Sequence, residues 1–427
     1  MSVRLLTITF NHDTASAVED ALNIRRNATY PMIGPEWVRG MTLPQASPAA
    51  YALDEIRGHT LAIMASFERT SATVQTLEIR AIQPPPPPPP AGWPGPLLRL
   101  LHDHPWLWHV ILWLLFMGWG RNALGDVRPT IVVFDAAGLS GDVRFELDEG
   151  FLDRRGVGVY DITWQWEYRF GPGGAWTPFD ISAHRIYAVL GVPTGPWCQQ
   201  PFPSDQNPWT DVLEHACRWA EGQHDVRGAA TAVTARVNEK LGLVYDMGGG
   251  ASAYAKYGWF DATPFLDYLE TGAGLGNTVN CTDCATITTT FANALGCDLH
   301  ASRMGWDFEL TPILAIGQAA FGYPAFGSWF GFHEVAWTGQ GEHGDALYDA
   351  CLRVDGDADP WTAPHTALLP TGIPFSTLPR DVEPPLATPF TANSYRERLC
   401  ANSDNGIKSC QATGPKNGTN NGRRPVK

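Results

Sequence analysis

Residues 280–297 read NCTDCATITTTFANALGC: two cysteines three positions apart, a run with helical character, and Leu295-Gly296 ahead of a third cysteine. The pair Cys281 and Cys284 could hold a metal, form a redox or structural pair, or supply a nucleophile. A zinc site calls for a second Cys or His pair of similar spacing. Cys198, Cys217, Cys297, Cys351, Cys400 and Cys410 form none, and His343 and His365 stand singly. A Cys-x-x-Cys redox motif normally follows a strand in a parallel-sheet setting, and that setting is missing here. A buried structural pair stays open.

The nucleophile reading finds more support along the chain. A thiolate at the first turn of a helix faces unpaired amides and the positive end of the helix dipole. Attack on a carbonyl then needs a His to take and return the proton, and a third group to orient that His. His333 starts an alternating stretch 52 residues later (333 − 281), and Asp349 follows after 16 more (349 − 333). Adjacent antiparallel strands joined by a hairpin set such side chains next to each other.

Cys281, Asp283 and Ala285 form a Cys-x-Asp-x-Ala run, and the helix they open ends in Leu295-Gly296, with Gly296 15 residues on (296 − 281). This stretch resembles the nucleophile helix of the transglutaminase-like superfamily, in which a Cys is followed by an Ala four residues on and a Leu-Gly closes the helix. FHEVAW (332–337) is similar to that family's His strand, and ALYDACL (346–352) to its Asp strand. The resemblance covers about 208–360 and implies papain-like Cys-His-Asp chemistry without a cofactor. Cys281 rather than Cys284 would attack an amide or peptide bond of a protein or peptide substrate through a thioester, with hydrolysis placed ahead of acyl transfer. His333 would be the general acid/base and Asp349 its orienter. Family members use an upstream Trp, Tyr or Gln to help bind the oxyanion. Trp259 and Tyr257 are the nearest candidates, with Asp283 and Cys284 as further site-lining residues.

Outside this region the chain reads differently. RLLTITF (4–10), TLEIRAI (76–82), RPTIVVFDAAG (128–138), GVGVYDITWQWEYRF (156–170) and HRIYAVLGVP (184–193) alternate as half-buried strands do. Trp164, Trp166 and Tyr168 share one face, with Thr163, Gln165 and Glu167 on the other. The expected fold class is therefore α+β. An N-terminal antiparallel β-sandwich of immunoglobulin-like type (1–83 and 124–200) precedes a transglutaminase-like domain (205–360). Seventeen Trp, 35 Pro and 43 Gly fit sheets and structured loops better than helical bundles.

Residues 84–123 read as an insertion: the proline run 84–90 is extended and rigid, and 96–120 is apolar and Trp-rich. The almost wholly apolar stretch from Trp106 to Gly120 is shorter than the roughly 20 residues of a bilayer span. It is expected to pack as a helix on the protein or a partner, with a membrane-surface or inserted segment as the alternative. A non-catalytic scaffold that docks through the sandwich and this insertion is the rival to the enzyme reading. From 361 onward the chain is Pro-rich and then polar, and is expected to be disordered.

The net charge of −14 argues against a nucleic-acid partner. Asp355, Asp357 and Asp359 begin like a calcium loop, but Thr366 occupies the position where the loop needs Glu, so no metal is expected. The start MSVRLLTITF lacks a Sec signal, so cytoplasmic residence is the default expectation, with membrane association or specialised export as the alternatives.

Overall fold

The computed structural model describes residues 3–12, 18–70, 75–84, 122–148, 150–195, 207–256, 258–339, 341–376, 394–401, 403–411 and 422–427. The apolar insertion, Cys198 and Tyr257 lie outside the described residues. The chain divides into two compact units, 1–22 with 33–188, and 23–32 with 189–427. The fold is mixed α+β, with most strands antiparallel. Among the described residues, no helix is long and apolar enough to cross a membrane.

The first unit holds nine of the named strands: β1 (Val3–Thr9), β2 (Trp37–Val38), β3 (Ala49–Ala52), β4 (Ala62–Arg69), β5 (Thr76–Ile82), β6 (Val127–Val133), β7 (Leu139–Glu146), β8 (Gly158–Arg169) and β9 (Thr177–Val189). They form two sheets, ordered β2-β1-β4-β7 and β3-β9-β8-β5-β6. Alternation does what the sequence predicts on β8: Trp164 and Trp166 are fully buried and Thr163 is exposed. Phe67 of β4 meets Trp166 edge-on at 5.5 Å, so the inner faces of the two sheets share one aromatic core. Glu167 breaks the pattern. It is buried beside a register shift against β9, and Arg80 satisfies it with two bonds of 3.0 and 2.8 Å.

A titratable pair sits in this core. His184 packs edge-on against Phe10 and bonds Ser182 at 2.8 Å, and burial lowers its pKa to about 3. Burial raises Glu36 to about 7, against the amide bond it accepts from Phe10. Between about pH 6.5 and 3 the unfolded chain binds a proton at His184 that the folded chain refuses, so that contribution to stability falls with pH. Between about 7 and 4.5 Glu36 has the opposite sign, because its proton is held in the folded state. The two cancel over the shared window, which leaves a His184-driven loss below about pH 4.5. In urea denaturation of the full chain, His184→Gln should flatten that acid arm by up to about 1.4 kcal/mol per pH unit. An acid arm of unchanged slope would contradict the assignment.

The second unit contains α1 (Thr210–Trp219), α2 (Val226–Lys240), β10 (Val244–Tyr245), α3 (Ala262–Thr271), β11 (Thr278–Val279) and α4 (Cys281–Ala294). A four-stranded sheet follows, in the order β12 (His300–Met304), β13 (His333–Trp337), β14 (Ala346–Tyr348) and β15 (Thr371–Pro374). The chain ends with α5 (Tyr395–Leu399) and α6 (Asp404–Ser409). Helix α4 is the centre: every one of its residues is buried, between α1 and α2 and the strands β12 and β13. A helix surrounded by protein needs no polar face; some of its polar side chains find partners nearby, whereas the buried hydroxyls of Thr288 and Thr289 have none. Thr286 returns its hydroxyl to the Thr282 carbonyl, and Asn293 brackets Leu299 with bonds of 2.8 and 2.6 Å. Gly296, at φ +84°, ends the helix where an added Cβ would sit 2.7 Å from the Gly191 carbonyl oxygen, so only glycine fits.

Two expectations change. Residues 23–32 belong with the second unit, where Arg25 bridges to Trp209 and Asn27 bonds Asp211 at 2.6 Å. The chain beyond 361 is not uniformly disordered: β15, α5, α6 and the bridge of Val426 to Phe260 are ordered parts of the second unit. Buried Tyr395, Leu399, Cys400, Cys410 and Val426 anchor them. These apolar residues are spaced too widely to register in the average composition.

Candidate active site

The site is built around the start of α4. Asn280 caps the helix by accepting from the Asp283 amide at 3.0 Å, while the Asp283 carboxylate accepts from the Asn280 amide at 3.1 Å. Asp283 also reaches outward. It accepts from the Ser252 hydroxyl (2.6 Å) and from the amides of Ala253 (2.8 Å), Tyr254 (2.8 Å) and Ala255 (2.7 Å). Asn280 adds a bond to the Gly250 carbonyl at 2.8 Å. One buried carboxylate therefore fastens the glycine-rich loop to the helix end that carries Cys281. Being acceptor-only, it holds the loop and offers nothing to an oxyanion, which corrects its reading as an oxyanion or site-lining residue.

Strand β13 brings His333 to this end. Its Nε2 bonds Asp349 Oδ2 at 2.9 Å, and both residues are fully buried. The stretch 345–354, which alternates like one strand, is broken at this point. Asp349 lies just beyond β14, and its Oδ1 accepts from the amides of Cys351 (2.7 Å) and Leu352 (3.2 Å), closing a turn before the strand resumes at Leu352. Cys281 is the first helical residue and stands beside the imidazole, close enough to act on its charge. In this resting geometry His333 Nδ1 has no hydrogen-bond partner, and such contacts tighten when substrate binds. Burial disfavours the imidazolium, but Asp349 and then Cys281 outweigh it and raise the His333 pKa to about 10.

Tyr245 completes the cluster. Its strand β10 pairs in parallel with β11, Val244 against Thr278 and Tyr245 against Val279, and β11 leads directly into the helix through Asn280. Burial and the charge of Cys281 push its phenol well above the ordinary range, so it stays a neutral donor. Its oxygen lies 3.7 Å from where a Cβ on Gly250 would be. The wall continues through Phe330, stacked on His333 at 5.5 Å, to Phe326, which is 6.1 Å from Phe330 and partly in solvent.

Cys284 faces inward, fully buried. A hydrogen bond with Cys351 favours its thiolate, yet burial and the neighbouring negative charges win and leave the thiol pushed up. The thiol of Cys351 is driven well above its ordinary value by burial. These two sulfurs are buried packing groups, Cys284 one helical turn from Cys281 and Cys351 in the turn that follows Asp349. Trp259 is half-buried in the loop before α3, with its amide bonded to the Lys256 carbonyl.

On the opposite face of β13, Glu334 is buried and accepts from Thr282 (3.0 Å) and from the two terminal guanidinium nitrogens of Arg424 (2.5 and 3.1 Å). Arg424 also donates to Thr286 at 2.8 Å. The helix that carries the thiol and the strand that carries the imidazole are thus tied together behind the site. Among the described residues, no cluster of His, Cys, Asp and Glu is arranged to hold a metal ion.

Tyr245 is the functional residue that sequence reading missed. A two-residue strand shows no periodicity, and the only signal was LVYD (243–246), an apolar-aromatic pair between a helix end and a glycine run.

No protein-family model matches the chain, and no curated protein matches it. Among solved structures, the crystal structure of red sea bream transglutaminase aligns over 74% of this chain and 50% of that one, with 11% identity and a TM-score of 0.34. The chain thus spans half the length of that structure. At this identity and score the likeness carries no statement about residues or activity, and any functional reading rests on the site itself.

Proposed function

We propose that the second unit is a cysteine enzyme of transglutaminase-like type that acts on amide or peptide bonds of a protein or peptide substrate through a thioester. The single observation that carries this reading is the bonded His333–Asp349 pair beside a cysteine that opens a buried helix. The Cys281 thiolate attacks the carbonyl carbon, and the resulting oxyanion is met by the Tyr245 hydroxyl and the Cys281 amide at the head of the helix. The imidazolium gives its Nδ1 proton to the departing nitrogen, which leaves as ammonia or an amine. His333 then takes a proton from the incoming nucleophile, which attacks the thioester and releases the thiolate. With water the outcome is hydrolysis, with a primary amine it is acyl transfer. Hydrolysis is placed first, because nothing in the sequence marks a second-substrate site. The first unit is read as an immunoglobulin-like sandwich.

The test offers the full chain a panel of blocked glutamine and asparagine peptides, with and without a fluorescent primary amine. The expected result is a peptide-mass adduct on the fragment containing Cys281 and release of ammonia. Label carried into the peptide would reveal transfer. An adduct on Cys284 instead, or no adduct and no ammonia across the panel, would overturn the proposal.

A further inference from the structure

The phenol of Tyr395 donates to Asp349 Oδ2 at 2.5 Å, the same oxygen that His333 Nε2 engages at 2.9 Å. The Tyr395 ring is fully buried and lies nearly parallel to the imidazole, with centroids 6.4 Å apart and planes 16° apart. The side chain is brought here by α5, whose start is fixed by a reciprocal cap between Ser394 and Glu397 and by the Arg396 amide bonded to the Phe375 carbonyl. With the two amides on Oδ1, the Asp349 carboxylate accepts four hydrogen bonds, and only one of them comes from the imidazole.

We infer that Tyr395 is a positioning residue for the chemistry proposed above: its hydroxyl fixes the Asp349 carboxylate and draws off part of the charge that Asp349 presents to His333. The inference rests on the Cys-His-Asp reading and adds a fourth member from a part of the chain that looked like a tail. A carboxylate held by His333 alone could rotate about its side-chain torsions. Held on Oδ1 by two backbone amides and on Oδ2 by a phenol as well as the imidazole, it has one orientation. A donor on Oδ2 also weakens the pull on the Nε2 proton, so it sets how readily the imidazolium gives up its proton elsewhere.

The charged and titratable groups that face this cluster come from several elements. Asp349 and Cys281 act on His333. Tyr245, Cys284 and Cys351 interact with Asp349, and Cys410 with Tyr395. Apart from Asp349 these are thiols and a phenol.

The experiment measures the rate at which iodoacetamide alkylates Cys281 in the full chain between pH 5 and 11, read by peptide mass spectrometry. The wild-type profile should show two ionisations that belong to the Cys281–His333 pair, and His333→Ala should reduce them to one. Tyr395→Phe keeps the ring and removes the donor. It should move the upper ionisation up by about half to one pH unit, the scale of an ordinary net hydrogen bond, since the phenol acts on the ring only through Asp349. Genetic replacement of Tyr395 by 3,5-difluorotyrosine keeps ring and hydroxyl but strengthens the donor, and should move that ionisation down. This second protein answers the question even if the Phe variant fails to fold. An upper ionisation unmoved by the fluorinated residue would overturn the role of Tyr395 while leaving the triad standing. A profile indifferent to His333→Ala would sink the Cys-His-Asp reading and this inference with it.

Discussion

Replacing His333 with alanine is expected to slow adduct formation at Cys281 by about 10⁴- to 10⁶-fold, the range seen when one member of such a cluster is removed. The geometry gives the reason. Asp349 holds Nε2, so Nδ1 is the nitrogen left to exchange protons with the thiol and the departing amine. Without the ring, no other base described here stands beside the sulfur. The same pairing sets the pH behaviour. With its pKa raised to about 10, the ring holds its proton through neutral pH, and donation to the leaving nitrogen should fade as pH rises through about 10. For stability the sign is the usual one for a raised base: the contribution is complete below about 6.5 and is lost as pH climbs through the folded value. Single-turnover mass spectrometry of the adduct across pH checks both. A His333→Ala protein that forms the adduct within tenfold of wild type would mean that the proton travels by another route.

Asp283→Ala should be the most damaging substitution for stability. It removes five hydrogen bonds at once, from Ser252, Ala253, Tyr254, Ala255 and Asn280; the amides of Ala253, Tyr254 and Asn280 lose their acceptor, and that of Ala255 keeps only the Ser252 hydroxyl at 3.3 Å. An unsatisfied buried donor costs about 1–3 kcal/mol, though such losses do not add in full. A total of about 4–5 kcal/mol is expected, in the rare tail of point substitutions and a large part of what holds a typical domain together. Asp283→Asn should recover little, because its NH₂ group would face donors. Thermal unfolding should drop by about 10 °C or more, and proteolysis should open first within 246–256. A loss below about 1 kcal/mol would show that the loop has other anchors of equal strength.

The grouping of Cys281, His333 and Asp349 could be read from the chain because it depends on local signals placed in order. Cys281 opens a strongly patterned helix, and His333 and Asp349 lie on short alternating stretches whose hairpin pairing follows from chain order. The rest depends on contacts that leave no local trace. Tyr245 reaches the site through a two-residue parallel pairing with 278–279, too short to show a period. Tyr395 is one aromatic in a stretch whose prolines and polar residues set the average. Asp283 looked like a site-lining carboxylate because its place beside Cys281 is visible in the sequence, whereas the loop amides that occupy both its oxygens are some thirty positions upstream. Segment 23–32 joined the second unit through a backbone bridge at Arg25 and a side-chain bond from Asn27, contacts that alternation cannot foresee.

The Glu334 clamp bears on how the cluster responds to thermal motion. Because the Arg424 guanidinium binds α4 through Thr286 and β13 through Glu334, a displacement of the helix drags the strand with it. Errors in the placement of sulfur and imidazole then become correlated, and their separation varies less than the position of either alone. Precision between two reacting atoms is in this way supplied from behind, by a side chain that touches neither.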